Sequence, residues 1–252
     1  MVGMLLSGAS FSIHWHALRQ GIGAYRRVSE VRWYLSLVFG AFGMLVWVNL
    51  GELGWLQNLR ESLFYAVSLG SNTGFVNSDF VLWMPAAHLL LLVLMLVGGM
   101  SGSTAGGMKV LRLQVVFKYS FRELMRARHP NSVIPIRLGR TTIEEQIAAK
   151  VVGFVLLYLG LILAGGVILS GLGVDLVTAF SGSASALGNV GPALGEAGPT
   201  SNFLVFPRAG RIVLMAMMAL GRLELFPAML MLVASLRGLD RSRLRRDRER
   251  SQ

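Results

Sequence analysis

Two short loops rich in glycine and asparagine contain the residues whose types and spacing could do chemistry. They are GSNTGF at residues 70–75 and GNVGP at residues 188–192, and each follows a short helical segment. In ion filters, backbone carbonyls replace the hydration shell of the cation, and glycine permits the conformations that aim them inward. The loops therefore favour a cation filter. Two ordinary extracellular loops after interfacial helices are the alternative.

The segments before the loops, residues 57–69 and 174–187, are only about a dozen residues long, too short to span a bilayer as helices. They predict re-entrant or interfacial helices. If the chain enters from outside, the negative end of each helix dipole points at the membrane centre and favours a cation there. Irregular backbone at that depth must be buried in protein or line a water-filled cavity.

The sequence SGSTAGG at residues 101–107 interrupts an apolar stretch with small residues. Because so many glycines and small polar residues oppose a rigid helix, it predicts a hinge or an unwound loop inside the membrane. A flexible turn at the cytoplasmic end is the alternative. Nucleotide binding is rejected because Met108 separates Gly107 from Lys109 and no strand precedes the motif.

Arg222 lies within the last apolar stretch, with about a dozen apolar or small residues on either side. An arginine near the membrane centre costs roughly 2.5–3.5 kcal/mol on insertion scales, so we expect it to be buried against a pore or a partner. Glu224, two residues on, points to another helix face and cannot simply neutralise it. A snorkelling arginine is the alternative.

Enzymatic chemistry has no support in the sequence. The chain has no cysteine, which excludes disulfides, thiolate metal sites and cysteine nucleophiles. It also has no nucleophile elbow, no HExxH motif and no pair of carboxylates at a useful spacing. We therefore predict that the protein is not an enzyme and has no covalent cofactor.

Four apolar stretches must position these loops, and they are residues 33–50, 80–100, 147–170 and 209–236. Each pair of stretches encloses one short segment and one loop, so the same unit occurs twice. An offset of 117 residues aligns Ser68 with Ser185, Asn72 with Asn189 and Gly74 with Gly191. The composition, 54% hydrophobic and 15% charged, is typical of a membrane protein. The fold class predicted is an all-α integral membrane protein with two repeats and re-entrant loops.

The net charge of +11 comes from basic residues in three blocks that flank the apolar stretches. The blocks are Arg19–Arg32, Lys109–Lys150 and Arg237–Arg250. Their placement follows the positive-inside rule and puts both termini in the cytoplasm, with membrane lipid rather than nucleic acid as the partner.

The motifs resemble those of one family, the TrkH-type potassium transporters of the Trk/Ktr/HKT superfamily. SLGSNTGFVNSDF, followed by an apolar stretch and GGMSGSTAGGMKVLR, is similar to the third repeat of that family. ALGNVGPALG followed by LGRLEL is similar to the fourth, and GASFSIHWHALR resembles the segment leaving the second. The resemblance implies a potassium-channel-like fold of four M1–P–M2 repeats around one pore, in a bacterial inner membrane.

The resemblance also implies residue roles, with potassium as the transported ion. Gly74 and Gly191 would centre two filter loops. Potassium would bind the carbonyls of Asn72, Thr73, Asn189 and Val190. A gating loop maps to Gly102, Ser103, Thr104, Ala105, Gly106 and Gly107, and Arg222 would lie beneath the filter and contact that loop. A homodimer and a cytoplasmic nucleotide-binding regulatory subunit are the implied partners.

Family members are about twice this length, so the chain corresponds to repeats three and four only. We expect residues 1–32 to be the end of a truncated preceding repeat with a cytoplasmic linker. The two repeats would occupy residues 33–140 and 141–236, and residues 237–252 would form a basic cytoplasmic tail. A missing N-terminal half or a second copy would complete the pore. The alternative function is a non-transporting scaffold or regulatory subunit that binds a cytoplasmic partner.

Overall fold

The computed structural model describes residues 1–52, 54–129, 134–139 and 141–223, and helices dominate these ranges. The helices in the first part of the chain are α1 Val2–Ser7, α2 Phe11–Gln20, α3 Gly23–Arg27, α4 Ser29–Val48, α5 Trp55–Gly70, α6 Pro85–Val97 and α7 Val110–Arg128. Those in the second part are α8 Glu145–Gly171, α9 Leu176–Gly188 and α10 Arg208–Arg222.

Two of the described helices, α4 and α8, are long and apolar enough to cross a bilayer. They contain most of the predicted stretches 33–50 and 147–170, and the short segments 57–69 and 174–187 correspond to α5 and α9. α4 packs along α5, and α8 packs along α9. A long helix, a short helix, a loop and a further helix therefore follow one another in both halves.

The apolar stretch 80–100 is not the continuous helix that its composition predicts. A 3₁₀ turn occupies Phe80–Leu82, α6 begins at Pro85, and Gly98 at φ +72° ends it. Proline favours the first turn of a helix, and a glycine with positive φ terminates one. α6 is 13 residues long, or ~20 Å, which is short of a bilayer core of ~30 Å.

The predicted stretch 209–236 begins as expected with α10. Its remainder from Glu224, the tail 237–252 and Arg140 all lie outside the described residues.

One small antiparallel hairpin accompanies the helices, and the described chain otherwise agrees with the predicted all-α class. Strand β1 (Ile136–Leu138) pairs with β2 (Thr141–Ile143), and Ile136 lies opposite Ile143. The β-branched residues in both strands favour this pairing, and Gly139 at φ +61° supplies the turn. Ile136 is buried against Val115 of α7 and Ala148 of α8, so the hairpin closes the connection between these helices.

Two hydrophobic clusters make up most of the core, and they follow the two halves of the chain. One draws on α1 to α6 and on the start of α7, and the other on α8 to α10. Three buried residues belong to the cluster of the opposite half: Val190 and Leu194 pack with the first, and Met108 packs with the second. All three lie in or just beyond the loops singled out in the sequence, so those loops form the seam between the two halves.

Candidate ion pathway and gate

The two candidate filter loops follow the same backbone course. Asn72 and Asn189 are left-handed, at φ 50° and 53°, and the glycines two residues later also have positive φ. The amide of Thr73 donates to the Ser68 carbonyl at 2.9 Å, and that of Val190 donates to the Ser185 carbonyl at 3.0 Å. Asparagine and glycine are the residues that tolerate this conformation. The sequence offset of 117 residues thus has a direct counterpart in backbone geometry.

Four carbonyl oxygens in the two loops, two in each, accept no hydrogen bond from the described residues. Within the described part of the chain, no hydrogen bond ends on the carbonyls of Asn72, Thr73, Asn189 or Val190. Buried or half-buried backbone carbonyls are normally paired, so such a group needs water or an ion as its partner. The predicted potassium-binding atoms therefore have unused acceptor capacity.

The two loops lie side by side, and contact between them is tight. The Val190 oxygen would lie 1.8 Å from a Cβ atom added to Gly74, so any side chain there would meet this carbonyl. The Asn72 side chain also crosses the seam, because its Nδ2 donates to the Gly188 carbonyl at 3.0 Å. Asn72 is buried, and its Oδ1 has no partner among the described residues.

The second loop is held from the other side by α10. Asn189 Nδ2 donates to the carbonyl of Met218 at 3.2 Å. A Cβ added to Gly221 would lie 1.9 Å from the Leu187 oxygen, which shows how closely α10 approaches the end of α9. The side-chain amides of both asparagines therefore fix the loops to neighbouring backbone.

Residues 98–109, between α6 and α7, form a non-helical loop in contact with the second filter segment. Gly106 lies so close to the Gly188 oxygen that an added Cβ would be 1.9 Å from it. Gly98 and Gly107 flank the Asn72 side chain at positive φ. The structure therefore brings Gly106 and Gly107, two of the predicted gating residues, to the predicted filter. We use the name gating loop for residues 98–109, the whole non-helical connection that contains the predicted gating residues 102–107.

A cavity of about 190 Å³ opens beside the gating loop. It is lined by Ser103–Gly107 of the loop, Lys109 and Arg112, Phe154 and Tyr158 of α8, and Gly221 and Arg222 of α10. Three of these residues are cationic, so the cavity is an unfavourable environment for a passing cation. Lys109 Nζ donates to the Ala105 carbonyl, and the Arg112 guanidinium lies 3.9 Å from the centroid of the Phe154 ring.

Arg222 contacts the gating loop, since its Nη1 donates to the Thr104 carbonyl at 3.4 Å. The expectation that Arg222 is buried is wrong for this chain, in which it is exposed at the edge of the cavity. The packing of α10 against α9 explains the difference, because Gly221 takes the buried contact with Leu187 and Arg222 turns towards the cavity.

Glu30, at the first turn of α4, is a candidate functional residue that the sequence analysis did not single out. Its Oε1 accepts a hydrogen bond from the amide of Ser101 at 2.6 Å, and the residue is 7% exposed. The positive charge of Lys109, near the other end of the loop, attracts this carboxylate. Glu30 therefore holds both ends of the gating loop. A carboxylate beside an apolar span was the signal that could have identified it.

The N-terminal segment also braces the gating loop. The apolar run 1–13 breaks between α1 and α2, and the break lies against the loop. The amide of Met100 donates to the Gly8 carbonyl at 2.8 Å, and the amide of Phe11 donates to the Gly102 carbonyl at 3.1 Å. Thr104 Oγ1 donates to the Ser7 carbonyl at 3.2 Å. These contacts were not predicted, because the apolar sequence of residues 1–13 indicates only the end of a helix.

Comparison with known proteins connects this arrangement to a family. The chain is 37% identical over 227 residues to the Trk system potassium uptake protein TrkH of Halomonas elongata, covering 88% of this chain and 46% of that protein. It is 31% identical to TrkH of Escherichia coli K12, covering 88% and 47%. The crystal structure of the potassium transporter TrkH from Vibrio parahaemolyticus superposes with a TM-score of 0.85 at 30% identity, covering 92% of this chain and 50% of that one.

The chain thus spans about half the length of the relatives it matches. Residues 51–237 match the family model of TrkH, cation transport protein, and this range includes both candidate filter loops, the predicted gating residues and Arg222. The chain belongs to the TrkH family of cation transport proteins.

Proposed function

We propose that this chain supplies two of the filter loops, and the gate, of a potassium uptake pore in a bacterial inner membrane. The observation that carries the proposal is the pair of matched loops at Asn72–Gly74 and Asn189–Gly191, whose carbonyls have no hydrogen-bond donor among the described residues. Carbonyl oxygens are the ligands that potassium filters use. The relatives' description as potassium uptake proteins supports potassium as the ion.

The ion would lose its water to the carbonyls of Asn72, Thr73, Asn189 and Val190, and the C-terminal ends of α5 and α9 would add negative potential. Two loops provide half of the carbonyl ring of a four-repeat pore. The other two loops would come from an N-terminal half or from a second copy of the chain.

The gate would be the gating loop together with Arg222. The loop contacts the Gly188 carbonyl from the side of the cationic cavity, where it would obstruct the pathway. The hydrogen bond from Arg222 to Thr104 supports a closed position. Opening would require the loop to leave these contacts, and the glycines at 98, 102 and 107 supply the conformational freedom.

The basic blocks include α7 and the residues at the start of α4, and both elements contact or adjoin the gating loop. The positive-inside rule therefore supports an orientation with this side of the protein in the cytoplasm. A homodimer and a cytoplasmic nucleotide-binding regulatory subunit complete the proposed assembly, by resemblance to the family. No catalytic step is proposed.

Growth on low potassium of a bacterial host that lacks its own uptake systems tests this function. The chain is expressed alone and together with the first two repeats of a full-length relative. We expect growth with the added repeats, because they supply the missing carbonyls. Growth with the chain alone would mean that two copies build the pore.

The transport proposal would be overturned if the chain reached the membrane but supported growth neither alone nor together with the added repeats. Co-purification of a cytoplasmic partner without ion flux would then favour the scaffold alternative. The first two repeats expressed alone serve as the control, since they contain neither the gating loop nor the third and fourth filter loops.

A further inference from the structure

A second cavity lies away from the pore, between the start of α4, the middle of α7 and the hairpin. It has a volume of about 490 Å³ and is lined by Ser29, Arg32, Trp33, Ser36, Gln114, Lys118, Arg137 and Gly139. Three of these residues are basic, and none of the lining residues is acidic. The cavity therefore has a concentrated positive charge and suits an anion.

The basic cavity continues into an apolar groove along α7. Trp33, Lys118 and Arg137 line both, and the groove of about 370 Å³ adds Phe117, Phe121 and Met125 at spacings of four along one helix face. Phe117 is 59% exposed and Phe121 is 55% exposed. An anionic head and an apolar tail can thus be bound side by side.

The remaining cation of the groove is already engaged. Arg122 is 5% exposed and pairs with Glu123 at 2.7 Å and Glu145 at 3.1 Å. Lys118 Nζ donates to the Arg137 carbonyl, which ties the hairpin to α7 and keeps the Arg137 side chain at the cavity. Arg32 and Arg137 are exposed, so their guanidinium groups are free to turn towards a ligand.

The position fits the membrane interface. Trp33 lies in the first turns of α4, a helix able to cross the bilayer, and it packs edge-on against Phe117 with ring centroids 5.6 Å apart. Tryptophan is enriched at the level of the headgroups, and basic pockets between helices on the cytoplasmic side suit anionic headgroups. An amphipathic helix with aromatic and basic residues, like α7, lies naturally at this boundary.

We propose that this cavity and groove form a binding site for an anionic phospholipid, with the phosphate at Arg32, Lys118 and Arg137 and an acyl chain along Phe117 and Phe121. The orientation of the proposed uptake protein puts the site at the cytoplasmic leaflet. Binding itself does not depend on transport, so failure of the transport proposal would leave it standing. The lipid would hold the hairpin and α7 against α4.

Native mass spectrometry of the full chain tests the site, with titration of phosphatidylglycerol and of phosphatidylcholine carrying the same acyl chains. We expect one phosphatidylglycerol to bind in preference to phosphatidylcholine. The variant R32Q/R137Q keeps the Lys118 hydrogen bond and should bind phosphatidylglycerol at least about tenfold more weakly, because each basic residue near an anionic surface contributes about fivefold. The control R26Q/R128Q removes the same charge elsewhere and should bind normally.

Three results would overturn the proposal. Equal weakening in both variants would indicate diffuse attraction to positive charge, and equal binding of both lipids would exclude headgroup recognition. Displacement of phosphatidylglycerol by inorganic phosphate would assign the cavity to a soluble anion.

A Phe121→Gln variant tests the groove, since it should weaken the binding of long-chain phosphatidylglycerol and leave the binding of the dihexanoyl form unchanged. The opposite pattern would show that the groove does not hold the acyl chain.

Discussion

At Gly74, the space that a side chain would need is occupied by a carbonyl oxygen of the other half of the protein. A Cβ atom there would lie 1.8 Å from the Val190 oxygen. The left-handed backbone at φ +71° adds a cost on the order of 1–3 kcal/mol for a residue other than glycine. Gly74 therefore sets both the conformation of one loop and its distance from the other.

We predict that Gly74→Ala reduces potassium uptake by about tenfold or more and weakens discrimination against sodium, because the Val190 carbonyl must move. Uptake of rubidium and sodium tracers in cells co-expressing the chain with the first two repeats of a relative measures both effects. Gly191→Ala shares the positive φ but meets no atom within 4 Å, so it should be less damaging. Gly40→Ala in open space on α4 is the control. Equal losses of uptake in Gly74→Ala and Gly191→Ala would refute a role for the close contact between Gly74 and the Val190 carbonyl.

The carboxylate of Glu30 is a second single group on which the site depends, through its hydrogen bond with the Ser101 amide. Loss of a hydrogen bond to a charged group costs about 1.5–3 kcal/mol. We predict that Glu30→Ala speeds hydrogen exchange at the Ser101 amide on the order of tenfold to a hundredfold, whereas Glu30→Gln, which keeps an acceptor oxygen, has a smaller effect. Glu52→Ala, an exposed carboxylate beyond the far end of α4, should change nothing. Unchanged exchange in Glu30→Ala would show that this carboxylate does not anchor the loop.

The proposed gate depends on whole elements, because three separate parts of the fold hold the gating loop in place. The α1–α2 break, the start of α4 and the end of α10 each hydrogen-bond the loop. A loop held by several separate contacts can have a defined closed position and can still be released.

We predict that Arg222→Ala raises ion flux on the order of tenfold. A unit charge ~10 Å from a passing cation, at an effective dielectric constant of ~20, opposes it by about 1.7 kcal/mol. The hydrogen bond to Thr104 would be lost as well. Rubidium uptake measures the effect. Arg208→Ala, at the opposite end of α10, is the matched control, and unchanged flux in Arg222→Ala would refute the gating role.

The element pattern was largely predictable from the sequence, because composition and length separate α4 and α8 from the short helices α5 and α9. The small residues at 101–107 correctly indicated a break in a helix. Pro85 and Gly98 mark the two ends of α6, and both could have been recognised in the sequence as helix-terminating residues within the apolar run. The hairpin at 136–143 was missed because three-residue strands carry little periodicity.

At the scale of the whole molecule, the site depends on contacts between residues far apart in the chain. Asn72 with Gly188, Val190 with Gly74, and Glu30 with Ser101 join different elements, and no local pattern specifies them. The residue types of the loops could be read from the sequence, together with their family. The seam at which the loops meet depends on how the two hydrophobic clusters pack, so its position could be located only from the structure.

The measurement that tests the central proposal most directly is ion competition in proteoliposomes. They would contain the purified chain assembled with the first two repeats of a relative. Uptake of rubidium tracer should be suppressed by external potassium but not by the same concentration of sodium, because the loop carbonyls would replace the hydration shell of potassium, the larger of the two ions. Equal suppression by both ions, or no uptake by an assembly shown to be intact, would contradict a potassium filter at residues 72–74 and 189–191.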